Sequence, residues 1–153
     1  SAAPINERLD EEEPYNPEVM RAQGALIIAR DGIQQTAKAL ELLTGTRVRT
    51  RRDRAQLHLF AGTFYLGIGD RAGAAEEFRR GVEADSGNVL IMMKLARTLY
   101  DLAVVAFRGS EASYRAYLDE CRSVTRQILR YDRDNEEGIA LIEAVASVFK
   151  VDV

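Results

Sequence analysis

His58 and Cys121 are the only histidine and the only cysteine in the chain. These are the residue types that most often act as base and nucleophile near neutral pH. A thiol nucleophile needs an activating base within hydrogen-bond reach. Each of the two instead falls on an apolar helical stripe, where an imidazole is packed and a thiol is an inert small hydrophobe. The expectation is a packed histidine and a buried thiol, with no hydrolase or transferase chemistry at either. Glu76-Glu77 and Glu136-Glu137 are the paired carboxylates. Neighbours in sequence point in different directions on a helix, so neither pair forms an acid–base couple. Both read as surface charge, and Glu136-Glu137 also suits a helix N-terminus. A single cysteine excludes an internal disulfide and a cysteine-based metal cluster within one chain. No phosphate loop, dinucleotide fingerprint or metal-ligand spacing occurs. The reading is a non-enzyme with no catalytic residue, no cofactor and no metal.

Arginine offers a second chemistry. Residues 44–54 read TGTRVRTRRDR, and Arg47, Arg49, Arg51, Arg52 and Arg54 form the only basic cluster. Guanidinium forks suit phosphates, so phosphate or nucleic-acid binding is one reading. No aromatic residues interleave, and the formal net charge is −3. The plainer reading is a solvated connection, with some arginines paired to acidic residues upstream. Specific nucleic-acid binding is not expected.

The elements that position these residues are helical. The chain has 153 residues, 46% hydrophobic and 29% charged, a balance that suits one globular domain with a sizeable core. Only three prolines and no tryptophan are present, and Ala, Leu, Glu and Arg dominate, which favours helix. The longest apolar runs, such as Ala25–Ala29 and Leu102–Phe107, fall far short of the ~20 residues of a membrane span. No membrane insertion is expected. No signal peptide is visible, and the first residue is Ser rather than Met, an opening compatible with a removed signal or anchor. The compartment is left unassigned.

Residues 1–16 hold Glu7, Asp10, Glu11, Glu12 and Glu13, and read as an acidic, flexible lead-in to a single helical domain over 17–153. The Glu11–Glu13 run is a solvated tail or a tether for a basic partner. Pro17 suits a first helical turn with Asn16 as cap. Residues 17–43 are apolar at helical spacing, as one long helix or as two. Asp31-Gly32 is a stop signal that favours two. Thr44-Gly45 ends this stretch. Val89 opens a helix that continues to about Arg108, where Gly109-Ser110 breaks it. The next helix carries Tyr114, Tyr117, Leu118, Cys121, Val124, Ile128 and Leu129 on one stripe. Residues 136–149 form a last helix with Ile139, Ile142, Val145, Ala146 and Phe149. Leu141, Val148 and Val151 are expected to point away from the core.

The densest pattern lies between, in AQLHLFAGTFYLGIGDRAGAAEEFRRGVEADSGN at 55–88. Gly62 lacks a side chain and Ala74 has a small one, so two helices can approach closely there. Tyr65 and Phe78 fill the gaps around those contacts. Gly69 supplies the left-handed residue that ends a helix, and Asp70 can cap the next. His58, Ala61, Gly62, Tyr65, Ala74, Phe78 and Ser86 stand at the positions of W-x2-L-G-x2-Y, then A-x3-F, then P. The segment resembles one 34-residue unit of the tetratricopeptide repeat (TPR) family. His58 replaces Trp, Ala61 replaces Leu, Gly81 replaces the usual Ala and Ser86 replaces Pro, all of them size changes at packing positions. The resemblance extends to an enlarged unit at 89–135 and a degenerate one at 18–54, with 136–149 covering the last hairpin. It implies an all-α fold: a right-handed superhelical stack of antiparallel hairpins with about seven helices.

A TPR hairpin carries no chemistry of its own and presents a surface. In that family the first helix of each hairpin lines a concave face. Carried over, the face holds Gln56, Leu59, Phe60, Thr63 and Leu66, then Leu90, Met93, Lys94, Arg97, Tyr100 and Asp101. Leu59, Thr63, Leu66, Met93, Lys94, Arg97 and Tyr100 are the candidate partner-binding residues. Such a face suits a peptide or partner helix, with a carboxylate near Arg97. The chaperone-binding subclass clamps a C-terminal carboxylate with paired Asn and Lys. Phe60 and Thr63 stand at such positions here, so that activity is not implied. The same residues can instead pack within the chain. The expected function is a protein-interaction module or adaptor. Its rivals are a self-associating assembly domain, such as a homodimer or a piece of a longer array, and phosphate binding through Arg47–Arg54.

Overall fold

Thr50 starts the first helix with a reciprocal pair of bonds. Its hydroxyl accepts from the Asp53 N–H at 3.1 Å, and the Asp53 carboxylate accepts from the Thr50 N–H at 3.1 Å and from that of Arg49 at 3.2 Å. This capping box satisfies the orphan donors that open α1, Arg51–Gly67. The backbone donors of Arg49 and Thr50 hold the Asp53 carboxyl below the usual carboxylate range. The computed structural model describes residues 49–150, and every described helix is an α-helix with no strand among them. The lead-in at 1–16, the one-or-two-helix stretch at 17–43, most of the degenerate unit at 18–54, Arg47, and Val151 to Val153 lie outside the described residues. The described residues hold five helices, where about seven are expected for the whole chain.

Gly69 adopts φ +83°, and Asp70 then accepts from the Gly73 N–H at 2.8 Å to start α2, Arg71–Ala84. The expected turn and cap are both present. Asn88 caps α3, Val89–Arg108, by accepting from the Ile91 N–H at 3.3 Å. Asn135 caps α5, Glu136–Phe149, by accepting from the Gly138 N–H at 2.8 Å. α4, Tyr114–Tyr131, begins after Ser113 with no side-chain cap. The break after α3 falls where expected, but Ser110 takes the left-handed conformation, φ 56°, rather than Gly109.

α1 and α2 form an antiparallel hairpin, because Tyr65 meets Gly73, Gly62 meets Phe78, and His58 meets Gly81. Ala55, Ala61, Ala74 and Phe78 are fully buried between them. Gly81 lies against Ile91, which brings α2 onto α3. The Arg79 guanidinium grips Glu120 of α4 with both oxygens, Nε to Oε2 at 2.7 Å and Nη2 to Oε1 at 2.8 Å. Those bonds, Glu120 first, raise the Arg79 pKa further. α3 and α4 form the second antiparallel hairpin, with Phe107 beside Tyr114 and Ala96 opposite Cys121.

α5 packs on both helices of that second hairpin. Gly138 lies against Leu129 and Ile128 of α4. That close approach sets the inward face as Gly138, Leu141, Val145 and Phe149, all buried. Two sequence expectations are corrected. Leu141 is 5% exposed rather than outward, and Val148 is half-buried against the core. Ile139, placed on the inward stripe by spacing alone, is 41% exposed. The small Gly138 lets the start of α5 sink toward α4 and turns the helix by about one residue.

Candidate partner-binding face

The candidate residues separate into two groups. On α1, Leu59 is half-buried against the core, Leu66 is 37% exposed, and exposed Thr63 donates its hydroxyl to the Leu59 carbonyl at 2.8 Å. On α3, Lys94 and Arg97 are exposed, while Met93 and Tyr100 are half-buried. The Asn135 side-chain N–H points at Met93 Sδ at 3.3 Å, and Tyr100 stands edge-on to Phe149 with centroids 6.4 Å apart. Met93 and Tyr100 are therefore partly covered by α5 within the same chain. The Arg97 guanidinium sits 5.8 Å from the Tyr100 centroid, and its nearest acid is Asp101 at 3.7 Å.

α5 runs in the same direction as α3. It meets α3 at one end through Asn135 and Met93, and at the other through Phe149, which touches Tyr100 and Phe107. Between these contacts lies a cleft of about 560 Å³, lined by Arg97 of α3 and by Glu137, Ala140, Leu141 and Ala144 of α5. Ala140 and Ala144 are too short to bridge to α3, so the helices stay apart at mid-length. Leu59, Thr63 and Leu66 do not line this cleft. The α5 wall was missed in the sequence because α5 was read as a cover. The available signal was its place in the order: α5 follows α4 as α3 follows α2.

The histidine is packed, as expected, but its partner is not on the surface. His58 Nδ1 lies 2.9 Å from Glu77 Oε2, and Arg80 donates to Glu77 Oε1 at 2.9 Å. Glu77 is 5% exposed, whereas the Glu76 side chain is 49% exposed. The reading of both as surface charge is corrected for Glu77. It shares the inward face of α2 with Phe78, and two partners satisfy its carboxylate there. An imidazole held by a carboxylate is two-thirds of a nucleophilic triad. Cys121 does not complete it. Its thiol donates to the Ala96 carbonyl at 3.4 Å, and burial pushes its pKa up to about 11. Such a thiol is a poor nucleophile at neutral pH.

The arginine cluster is also placed differently. Arg51, Arg52 and Arg54 form the first turn of α1 rather than a connection. Arg49, Arg51 and Arg54 line a shallow cleft of about 540 Å³ with Thr50, Glu83 and Ala84. Among the described residues no group of three or more His, Cys, Asp or Glu is arranged to hold a metal ion. No described helix is long and apolar enough to cross a membrane. No family model matches the chain, and no curated protein matches it.

Proposed function

We propose that this chain is a non-catalytic protein-interaction module, an adaptor that binds a peptide or partner helix on the face between α3 and α5. Its hairpins would stack as TPR units in a right-handed superhelix, extended by the helices expected upstream. The observation that carries the reading is the unfilled cleft between α3 and α5. The two helices are fixed together at both ends, yet stay open at Arg97, where apolar floor and exposed charge meet. A concave, largely preformed site of this size suits a side-chain anchor from a partner. The turn at Gly69-Asp70 and the close approach at Gly62 support the repeat reading. Paired affinity captures from the native cell test it, with wild-type chain and Ala144→Leu as baits. A partner should be retained by the first and lost by the second. Identical captures would contradict the site.

A second reading is self-association through the outer side of α5. Ile139 is exposed there, with Ile142 and Ala146 half-buried. An apolar edge of this kind favours a second copy of the chain. Sedimentation at tens of micromolar should then show a dimer that Ile139→Glu dissociates. A monomer at that concentration would rule the reading out.

A further inference from the structure

The chemistry of the α3–α5 cleft narrows the class of partner, given that this face is the binding site. Its two walls carry opposite charge. Arg97 stands on the α3 wall, with exposed Lys94 one helical turn before it. Glu137 stands on the α5 wall, with exposed Glu136 beside it at the helix start. Arg97 and Glu137 line the same cleft and do not pair with each other; among the described residues Glu137 makes no ion pair at all. Arg97 has Asp101 only at 3.7 Å, a loose pairing at a side chain that is 68% exposed. Both charges are therefore available to a ligand without breaking a buried bond. Between them the floor is Leu141, Ala140 and Ala144, which offers no polar side-chain group.

We infer that the cleft takes a partner segment that inserts one apolar side chain over Ala140 and Ala144, brings a carboxylate to Arg97 and brings a cation to Glu137. Arginine forms a planar fork that matches a carboxylate. The anchor supplies the apolar burial, and the two charges set its direction in the cleft. A segment with the charges reversed places like charges together on both walls, which is the repulsive element that specificity needs. A purely acidic segment satisfies one wall and opposes the other.

The test is a displayed library of random peptides about 12 residues long, long enough to cover one groove. It is selected on the full chain, and the enriched peptides are titrated by fluorescence anisotropy. Enriched sequences should carry an apolar residue with an acid on one side and a base on the other. Arg97→Glu should weaken the best peptide by about tenfold, and exchanging that peptide's acid for lysine should restore it. Glu137→Arg should act in the same way on the peptide's base. Ala144→Leu should abolish binding while the melting temperature stays level or rises. Peptides that bind wild-type chain but ignore both charge reversals would overturn the charge assignment and leave the interaction reading standing. Failure of wild-type chain to enrich any peptide would overturn both.

Discussion

A Cβ placed on Gly62 would run into Cε1 of Phe78, so the first hairpin closes at a distance that only glycine permits. On an open helix, Gly→Ala gains up to about 1 kcal/mol from backbone entropy. Here the steric term opposes that gain, because the Phe78 ring is fully buried and cannot swing out. Gly62→Ala should therefore lower stability by roughly 1–3 kcal/mol, read from the denaturation midpoint. A gain in stability would mean that Phe78 repacks freely.

Ala74 is fully buried on the same hairpin. Ala74→Leu should overpack it and cost roughly 1–3 kcal/mol. An unchanged midpoint would show that the register of the hairpin has been misread.

Glu76 and Glu77 should behave differently. Removing Glu77 leaves the packed His58 without its carboxylate partner, while Arg80, at the surface, keeps Glu76 at 3.4 Å. Glu77→Ala should cost roughly 1–3 kcal/mol, the penalty for an unsatisfied buried polar group. Glu76→Ala should stay within about 0.5 kcal/mol, as surface substitutions do. Equal effects would place Glu77 at the surface.

The Cys121 thiol gives a pH signature. Its pKa rises from 9.0 to about 11 on folding, with burial as the first cause. Between those values the unfolded thiol has lost its proton and the folded one keeps it. The native state then binds more protons, so the contribution to stability present below pH 9 is lost as pH rises toward about 11. Denaturation at several alkaline pH values should show a steeper fall for wild-type chain than for Cys121→Ala. In the native state at neutral pH, a mild electrophile should label Cys121 only slowly. Rapid stoichiometric labelling would contradict the buried placement.

The legible parts of the fold are those written in local backbone chemistry. Gly69-Asp70 and Gly109-Ser110 mark turns, and Asp70 a cap, that depend on residues within one turn. The caps at Asn88 and Asn135 are of the same local kind, but they were not read from the sequence. The burial of Glu77 was not, since it is set by an imidazole 19 positions away. The rotation of α5 was not, since Gly138 against Leu129 decides it and apolar spacing alone favours Ile139. Of the site, Lys94 and Arg97 were legible as exposed cations on the first helix of a hairpin. The opposite wall was hidden by the reading of α5 as a cover, and the inward turn of Met93 and Tyr100 depends on that same helix.

The arginine cluster at the start of α1 yields a salt test. Arg49, Arg51 and Arg54 offer few phosphate contacts in a chain of net charge −3. Binding of labelled RNA should collapse between low and physiological salt, as counterion release weakens. Sub-micromolar affinity that persists at physiological salt would make the phosphate reading primary.

The most direct test of the account is the affinity of the captured partner for Arg97→Glu. The Arg97 side chain is 68% exposed and its only ion pair among the described residues is the loose one to Asp101, so the reversal should leave helicity and melting temperature unchanged. The dissociation constant, measured by calorimetric titration beside wild-type chain, should rise by about tenfold or more. An unchanged dissociation constant, with the fold intact, would contradict the assignment of the α3–α5 face as the place where this protein meets its partner.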